Sequence, residues 1–243
     1  MYLIVDLGNT LAKLFLYKKS KCIVEQKVVL PLFIDIVESL IKNYPDIEAL
    51  IYSDVSNHSG DFFEKISVQF PIVSVHSQMQ LPFKNNYKSP FTLGSDRVVL
   101  VAAACKSYPN INVLIIDLGS CITYDFLYSN NTYQGGAISP GFDMRYKALH
   151  QFTGNLPLLV SEKVEKFEGK RTEECIHAGI YFGILDEIKS KIEYYDLNYD
   201  SLTVILTGGD TNKLPKTLKN SIFAQSNFLA EGMFQLLKLN IDS

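Results

Sequence analysis

A layered α/β fold built from two related halves is predicted by three observations. The first is an internal echo: residues 5–17 read VDLGNTLAKLFLY and residues 116–128 read IDLGSCITYDFLY, so Asp, Leu, Gly, Phe, Leu and Tyr recur in register. The second is that each copy follows a short apolar run of strand type, Tyr2 to Val5 and Val113 to Ile116. The third is the alternation of strand-like and helix-like runs along the chain, the pattern that packs helices onto a sheet. With 243 residues the chain is long enough for two modest domains, each with its own core. The boundary is expected near Pro109 to Asn112, giving domains 1–110 and 111–243.

Each copy should open with a β-hairpin. Gly8 and Gly119 sit where a chain leaving a strand needs a permissive dihedral, and β-rich residues resume after each: Leu14 to Tyr17, and Thr123 to Tyr128. Asp6 and Asp117 then stand at the hairpin mouths. After the first hairpin the pattern predicts a strand over about Lys21 to Val29, an amphipathic helix over Leu32 to Asn43 and a short strand at Ala49 to Ser53. A helix over Gly60 to Gln69, a strand at Ile72 to Val75, a polar loop from Ser77 to Thr92 and a helix from about Asp96 to Ser107 complete the first half. The second half reads as strands to about Ile138, a mostly helical stretch from Phe142 to Tyr195, a strand at Leu202 to Leu206 and a terminal helix near Phe228 to Leu239.

Composition narrows the function. Lys and Arg total 23 against 26 Asp and Glu, a net charge of −3, so the basic excess that drives phosphate-backbone binding is missing and nucleic acid is not the expected partner. The longest apolar runs, Val98 to Ala104 and Val113 to Ile116, fall far short of the roughly 20 residues that a bilayer requires, so no membrane span is expected. Cys22, Cys105, Cys121 and Cys175 are widely spaced, and the N-terminus runs straight into a strand without a basic leader. Both features point to a reduced, cytoplasmic setting.

The motifs offer anion-handling chemistry. Asp6-Leu7-Gly8-Asn9-Thr10, with Leu11, Ala12 and Lys13 behind it, supplies a carboxylate, turn amides, a hydroxyl and an ammonium, a set suited to a nucleotide polyphosphate and its magnesium. Gly94-Ser95-Asp96-Arg97 precedes an apolar helix. Ser95 or Asp96 there reads either as a plain N-cap or as part of a site uniting a base, an anion-binding guanidinium and the positive end of a helix. Gly135 to Gly141 reads as a small-residue turn, either a tight connection or a ligand contact. Thr207-Gly208-Gly209-Asp210 follows a strand, where α/β folds admit nucleotides. Glu174 and His177 are expected on a solvated helix face, and Cys121 as a buried small residue. There is no Gly-x-Gly-x-x-Gly and no P-loop, which speaks against dinucleotide enzymes and Walker-type NTPases.

Taken in order, Asp6 to Thr10 with Lys13, Gly94 to Arg97, Asp117-Leu118-Gly119-Ser120 with Thr123, Gly135-Gly136 with Pro140-Gly141, Ala148-Leu149 with Thr153 and Leu156-Pro157, Gly169 to Thr172, and Thr207 to Asp210 resemble type III pantothenate kinase over nearly the whole chain. The resemblance implies two duplicated ribonuclease-H-like domains facing across a nucleotide-binding cleft, as in the actin-like and sugar-kinase ATPases. It implies ATP- and magnesium-dependent phosphorylation of pantothenate to 4′-phosphopantothenate, the entry to coenzyme A synthesis, by a homodimer. Residues 6–13 then match the first phosphate loop, with Asp6 toward magnesium, and Ser120 an ATP contact where the family usually has Thr. Asp117 matches the ligand of a monovalent cation, potassium or ammonium. Tyr87, Gly94, Ser95, Asp96, Arg97 and Thr172 match pantothenate contacts, with Asp96 the catalytic base. Other readings of the same residues are a kinase for another hydroxylated metabolite and a catalytically silent, kinase-like regulator.

Overall fold

The computed structural model describes residues 1–241 except 56, 68, 216, 217, 219, 220 and 224–227. Its strands and helices run β1 (Tyr2–Leu7), β2 (Leu11–Lys18), β3 (Lys21–Val29), α1 (Phe33–Asn43), β4 (Ala49–Asp54), α2 (Phe62–Ile66), β5 (Ile72–Ser74), β6 (Lys84–Asn85) and α3 (Ser95–Ser107). There follow β7 (Asn112–Leu118), β8 (Cys121–Leu127), β9 (Thr132–Pro140), α4 (Phe142–Gln151), α5 (Thr172–Asn198), β10 (Leu202–Thr207), β11 (Ser221–Phe223) and α6 (Phe228–Asn240). The chain divides into two compact units, Met1–Pro109 with Asn131–Tyr133 and Ser226–Ser243, and Asn110–Asn130 with Gln134–Gln225.

In the first unit the strand order is β3-β2-β1-β4-β5, with β1 antiparallel to β2 and parallel to β4. Alternation dictates the faces: Leu3, Val5 and Leu7 on β1 and Ala12, Leu14 and Leu16 on β2 join Phe33, Val37, Leu40, Phe62 and Phe63 in one core. On the other face Tyr17 stacks on Phe234 of α6, with ring centroids 4.8 Å apart. Helix α6 in turn lies close on α3, because Gly232 presents no side chain to the Val99 carbonyl. This packing corrects the chain-order division at 110/111. The last helix follows the second repeat in sequence but completes the first repeat's core, since α3 is apolar on every side from Val98 to Ala104 and needs cover.

The second sheet repeats the plan with the order β11-β10-β7-β8-β9-β6. Leu114, Ile116 and Leu118 on β7 and Ile122, Tyr124 and Phe126 on β8 pack with Phe142, Tyr146, Ile180, Ile184 and Ile188 of α4 and α5. The equivalence with the first unit contains a slip that the sequence echo hid. In the first hairpin Leu7 pairs with Ala12 and Asp6 with Lys13, whereas in the second Leu118 pairs with Ile122 and Asp117 with Thr123. The second turn is thus one residue shorter, and Thr123, not Tyr124, stands in the place of Lys13.

Other differences from the sequence reading have local causes. The stretch from Phe142 to Tyr195 is broken by residues 152–171, which form neither helix nor strand; Gly154 and Pro157 stop α4 from continuing. The helix expected over Gly60 to Gln69 is reduced to Phe62–Ile66. Gly135 to Pro140 belongs to β9 and is not a turn. Neither Gly8 nor Gly119 adopts a positive φ; the positive-φ glycines are Gly60, Gly135 and Gly208. No helix among the described residues is long and apolar enough to cross a membrane.

Candidate active site

The strand ends of the first unit gather charged and polar groups at one place. β1 extends to Leu7, so Asp6 lies within the strand, and its register partner Lys13 on β2 brings Nζ to 3.5 Å from Asp6 Oδ2. Burial raises the Asp6 pKa above the ordinary carboxylate value; Lys13 opposes that rise and the nearby Asp96 carboxylate adds to it. A buried carboxyl that is hard to ionise, with an ammonium beside it and a second carboxylate within electrostatic reach, is a site that gains from added positive charge. The turn that follows is closed by Gly8 N–H donating to Leu11 O at 3.1 Å, and leaves Asn9, Thr10 and Leu11 exposed. Leu7 and Ala12 put their side chains in the core, so they offer a ligand only backbone groups.

The parallel neighbour β4 places Ser53 beside Asp6 and Asp54 beside Leu7. Ser53 Oγ lies 2.9 Å from Ser95 Oγ, which ties the end of β4 to the first residue of α3. Asp96 follows at once. Its Oδ1 accepts the Arg97 N–H at 2.8 Å, and α3 has Gly94 as N-cap without a capping side chain, so neither Ser95 nor Asp96 is the N-cap of the plainer reading. A cavity of about 580 Å³ opens here, with Asn9, Asp54, His76, Gly94, Ser95 and Asp96 in its wall. Asp54 holds one edge in shape by accepting from His58 N–H, Ser59 N–H and Ser59 O–H at 2.7–3.0 Å.

Arg97 is buried, with Cζ 5.6 Å from the centroid of the Tyr87 ring. Tyr87 stacks in turn on Tyr133, 6.2 Å away and within 20° of parallel. The fold therefore unites two residues that lie ten positions apart and on different elements. Ser53, Asp54, His76 and Tyr133 were not singled out in the sequence. The available signal was Ser53-Asp54 at the carboxyl end of a parallel strand, a usual place for ligands in α/β sheets.

The second unit holds the other predicted residues. Asp117 is half-buried on β7, and Gly119 N–H donates to Cys121 O at 3.0 Å, leaving Ser120 exposed. The Thr207-Gly208-Gly209-Asp210 turn lies directly against this loop: Asp210 N–H donates to Leu118 O at 3.1 Å, and a Cβ on Gly208 would stand 2.5 Å from Asp117 Oδ1. Gly208 also has φ +96°, so glycine is required there twice over. On the other flank Gly141 N–H donates to Ser120 O at 3.2 Å. The end of β9 before Gly141 is held by Arg145, whose Nε donates to Pro140 O at 2.9 Å and whose Nη2 donates to Ser139 Oγ at 3.1 Å and Glu187 Oε2 at 2.5 Å. Tyr124 O–H donates to the same Glu187. Burial of Glu187 acts to raise its pKa, but hydrogen bonds from Arg145, Tyr124 and Ser139 outweigh it and the net shift is downward.

Thr172 opens α5 and is exposed. His177 is not on a solvated face: it is buried and its Nδ1 is 2.8 Å from Tyr146 Oη. Cys121 is only half-buried, and all four cysteines are free. Among the described residues no cluster of three or more His, Cys, Asp or Glu could hold a metal.

Twin mixed sheets with a carboxylate-headed hairpin at the heart of each define an α/β fold of duplicated halves. Solved structures share this architecture: a candidate Baf-family transcriptional activator from Campylobacter jejuni (TM-score 0.67, 21% identity, covering 99% of this chain and 100% of that one) and a ROK-family glucokinase from Streptomyces griseus with glucose and AMPPNP (TM-score 0.52, 9% identity, 99% and 100%). At these identities they speak for the fold alone. The sequence model of type III pantothenate kinase matches residues 2–193, and a type III pantothenate kinase of Christiangramia forsetii is 44% identical over 240 residues, 99% of both chains. The chain belongs to the type III pantothenate kinase family.

Proposed function

We propose that this chain transfers the γ-phosphoryl group of ATP to the 4′-hydroxyl of pantothenate, the first step of coenzyme A synthesis. The observation that carries the reading is the Asp96 carboxylate in a cavity wall with Asn9, close enough to the Asp6–Lys13 pair to raise the pKa of Asp6. Phosphoryl transfer to an alcohol needs a base that also aims the hydroxyl, next to groups that hold the polyphosphate. Asp96 accepts the hydroxyl proton as the oxygen bonds to the γ-phosphorus, and the bond to ADP breaks with its electron pair leaving on ADP.

The polyphosphate is held by the turn of residues 8–11, Lys13 and Ser120. Magnesium, when bound, neutralises phosphate charge; the burial-raised pKa of Asp6 and its place beside Lys13 fit a carboxylate facing that ion. Arg97, backed by Tyr87, meets the pantothenate carboxylate, with Gly94, Ser95 and Thr172 as further contacts. Tyr87 and Thr172 belong to different units, and a homodimer in which both serve pantothenate is part of this reading, as are a potassium or ammonium ion at Asp117 and a cytoplasmic location. A coupled assay with ATP, magnesium, potassium and pantothenate tests the proposal. ADP release that depends on pantothenate, and not on a panel of other alcohols, supports it; binding of pantothenate without turnover would overturn it in favour of a silent regulator.

A further inference from the structure

The one-residue slip between the two hairpins exchanges a cation for a hydroxyl. In the first unit Asp6 is flanked across the sheet by Lys13 on β2 and Ser53 on β4. In the second unit Asp117 holds the same position on β7, flanked by Thr123 on β8 and Thr207 on β10. All three residues lie on the face opposite the core formed by Leu114, Ile116, Leu118, Ile122, Tyr124 and Phe126, because each alternates with a member of that core. The first unit therefore supplies its own ammonium to the strand carboxylate, at 3.5 Å. The second supplies two hydroxyls.

One of those hydroxyls is conspicuous. Thr123 is only 7% exposed, and its Oγ1 is buried without a hydrogen-bond partner among the described residues. A buried hydroxyl left unpaired is costly enough that native structures rarely keep one without a ligand to satisfy it. By register the donors around it are all oxygen: the Asp117 carboxylate, the Thr123 and Thr207 hydroxyls and, two residues along β8 on the same face, the buried Asp125 carboxylate, with no cluster of three or more His, Cys, Asp or Glu among the described residues. Such a site matches a large, weakly hydrated monovalent cation better than a divalent ion, which calls for several carboxylates or retained waters.

We infer that Thr123, together with Thr207, binds the monovalent cation at Asp117, and that this ion takes the part that the Lys13 ammonium plays beside Asp6. The inference rests on the cation assignment proposed above and adds its protein ligands and its logic: a kinase with one tethered and one diffusible cation at equivalent positions of a duplicated fold.

The test uses the intact protein and reads cation binding directly, through thermal midpoints in potassium, ammonium, sodium and tetramethylammonium chloride at equal ionic strength, with and without a non-hydrolysable ATP analogue. For a native-state ligand at a hundredfold excess over Kd, the wild-type midpoint should rise by roughly 5–10 °C in potassium relative to tetramethylammonium. Thr123→Val keeps the shape and removes the oxygen, so it should lose most of that potassium-specific rise while melting at or above the wild-type temperature in tetramethylammonium. A wild-type protein with no potassium-specific rise in either state would overturn the cation assignment itself. A wild-type rise retained in full by Thr123→Val would overturn the role of Thr123 and leave the assignment to Asp117 standing.

Discussion

Gly94→Ala separates catalysis from folding at the site of the base. Gly94 has φ −58° and ψ 139°, an extended conformation open to any residue, so alanine meets no backbone strain. What its Cβ would meet is the Asp96 carboxylate, 2.5 Å from Oδ1 and 3.6 Å from Cγ. Normal contact requires the oxygen to retreat by about 0.5–0.9 Å, and it can do so cheaply because it is the far end of a side chain. That movement breaks the 2.8 Å bond from Arg97 N–H and carries the base away from its aim. Misplacing a catalytic group by about 1 Å costs on the order of 10² in rate, about 2.7 kcal/mol of transition-state free energy. The alanine should meanwhile add about 0.4–1 kcal/mol of stability by restricting the unfolded chain, a midpoint rise of roughly 1–4 °C. Steady-state kinetics and thermal melts read both. Asp96→Asn alone should lower kcat by about 10²–10⁴, and adding Gly94→Ala to it should change nothing further, since the two act through one oxygen. A Gly94→Ala enzyme within threefold of wild-type kcat would refute the reasoning, as would additive losses in the double variant.

Asp6 should make the ligand-free protein sensitive to pH. Its pKa in the folded state is raised, so the folded chain holds the proton more tightly than the unfolded chain; its contribution is fully present below the unfolded value near 3.8 and is lost as pH rises through the folded one. Asp6→Asn should therefore melt higher than wild type at pH 7, with the gap closing below about pH 4, although it loses turnover. Glu187→Gln should weaken the brace under Ser139 to Gly141, costing about 1–2 kcal/mol in denaturant melts because the pair with Arg145 is about a quarter exposed. The same variant should raise KM for ATP more than KM for pantothenate, since Gly141 N–H donates to Ser120 O. Tyr133→Leu should raise KM for pantothenate by roughly 2–12-fold, the value of an aromatic pair, by withdrawing the ring behind Tyr87 and Arg97; unchanged kinetics would detach that stack from the site.

Much of this architecture was legible because strands announce themselves by alternation. Leu3, Val5 and Leu7 and their counterparts Leu114, Ile116 and Leu118 mark one buried face in each repeat, and Asp6 and Asp117 interrupt the opposite face at matching positions. The Gly94 to Arg97 element was visible for a similar reason, as a polar group set against the uniformly apolar α3. Long-range packing was not legible. Nothing local to Phe228–Asn240 says that it covers α3 and not the second sheet, because that choice depends on where Gly232 lets two backbones meet. Nor does the pattern of α4 and α5 reveal the 20 residues between them as irregular, since apolar residues such as Leu158 and Val160 stand out in solvent there. Tyr133 escaped notice because its partners, Tyr87 and Phe83, lie some fifty residues upstream.

The most instructive error lies inside the motif that looked clearest. Phe, Leu and Tyr recur at the same spacing in both repeats, yet pairing places Leu14 and Leu16 in the first core and Tyr124 and Phe126 in the second, one residue out of step with the letters. A slip of one residue in a strand turns every side chain to the other face, so identical letters in the two return strands point in opposite directions. The alignment by identity had set Lys13 against Tyr124; alignment by face sets it against Thr123. Sequence resemblance between repeats therefore located the two carboxylates correctly and misassigned their neighbours, and it is the neighbours that make the sites chemically different. In a duplicated fold, the register of the strand beside a functional residue decides whether its neighbour across the sheet is a cation or a hydroxyl.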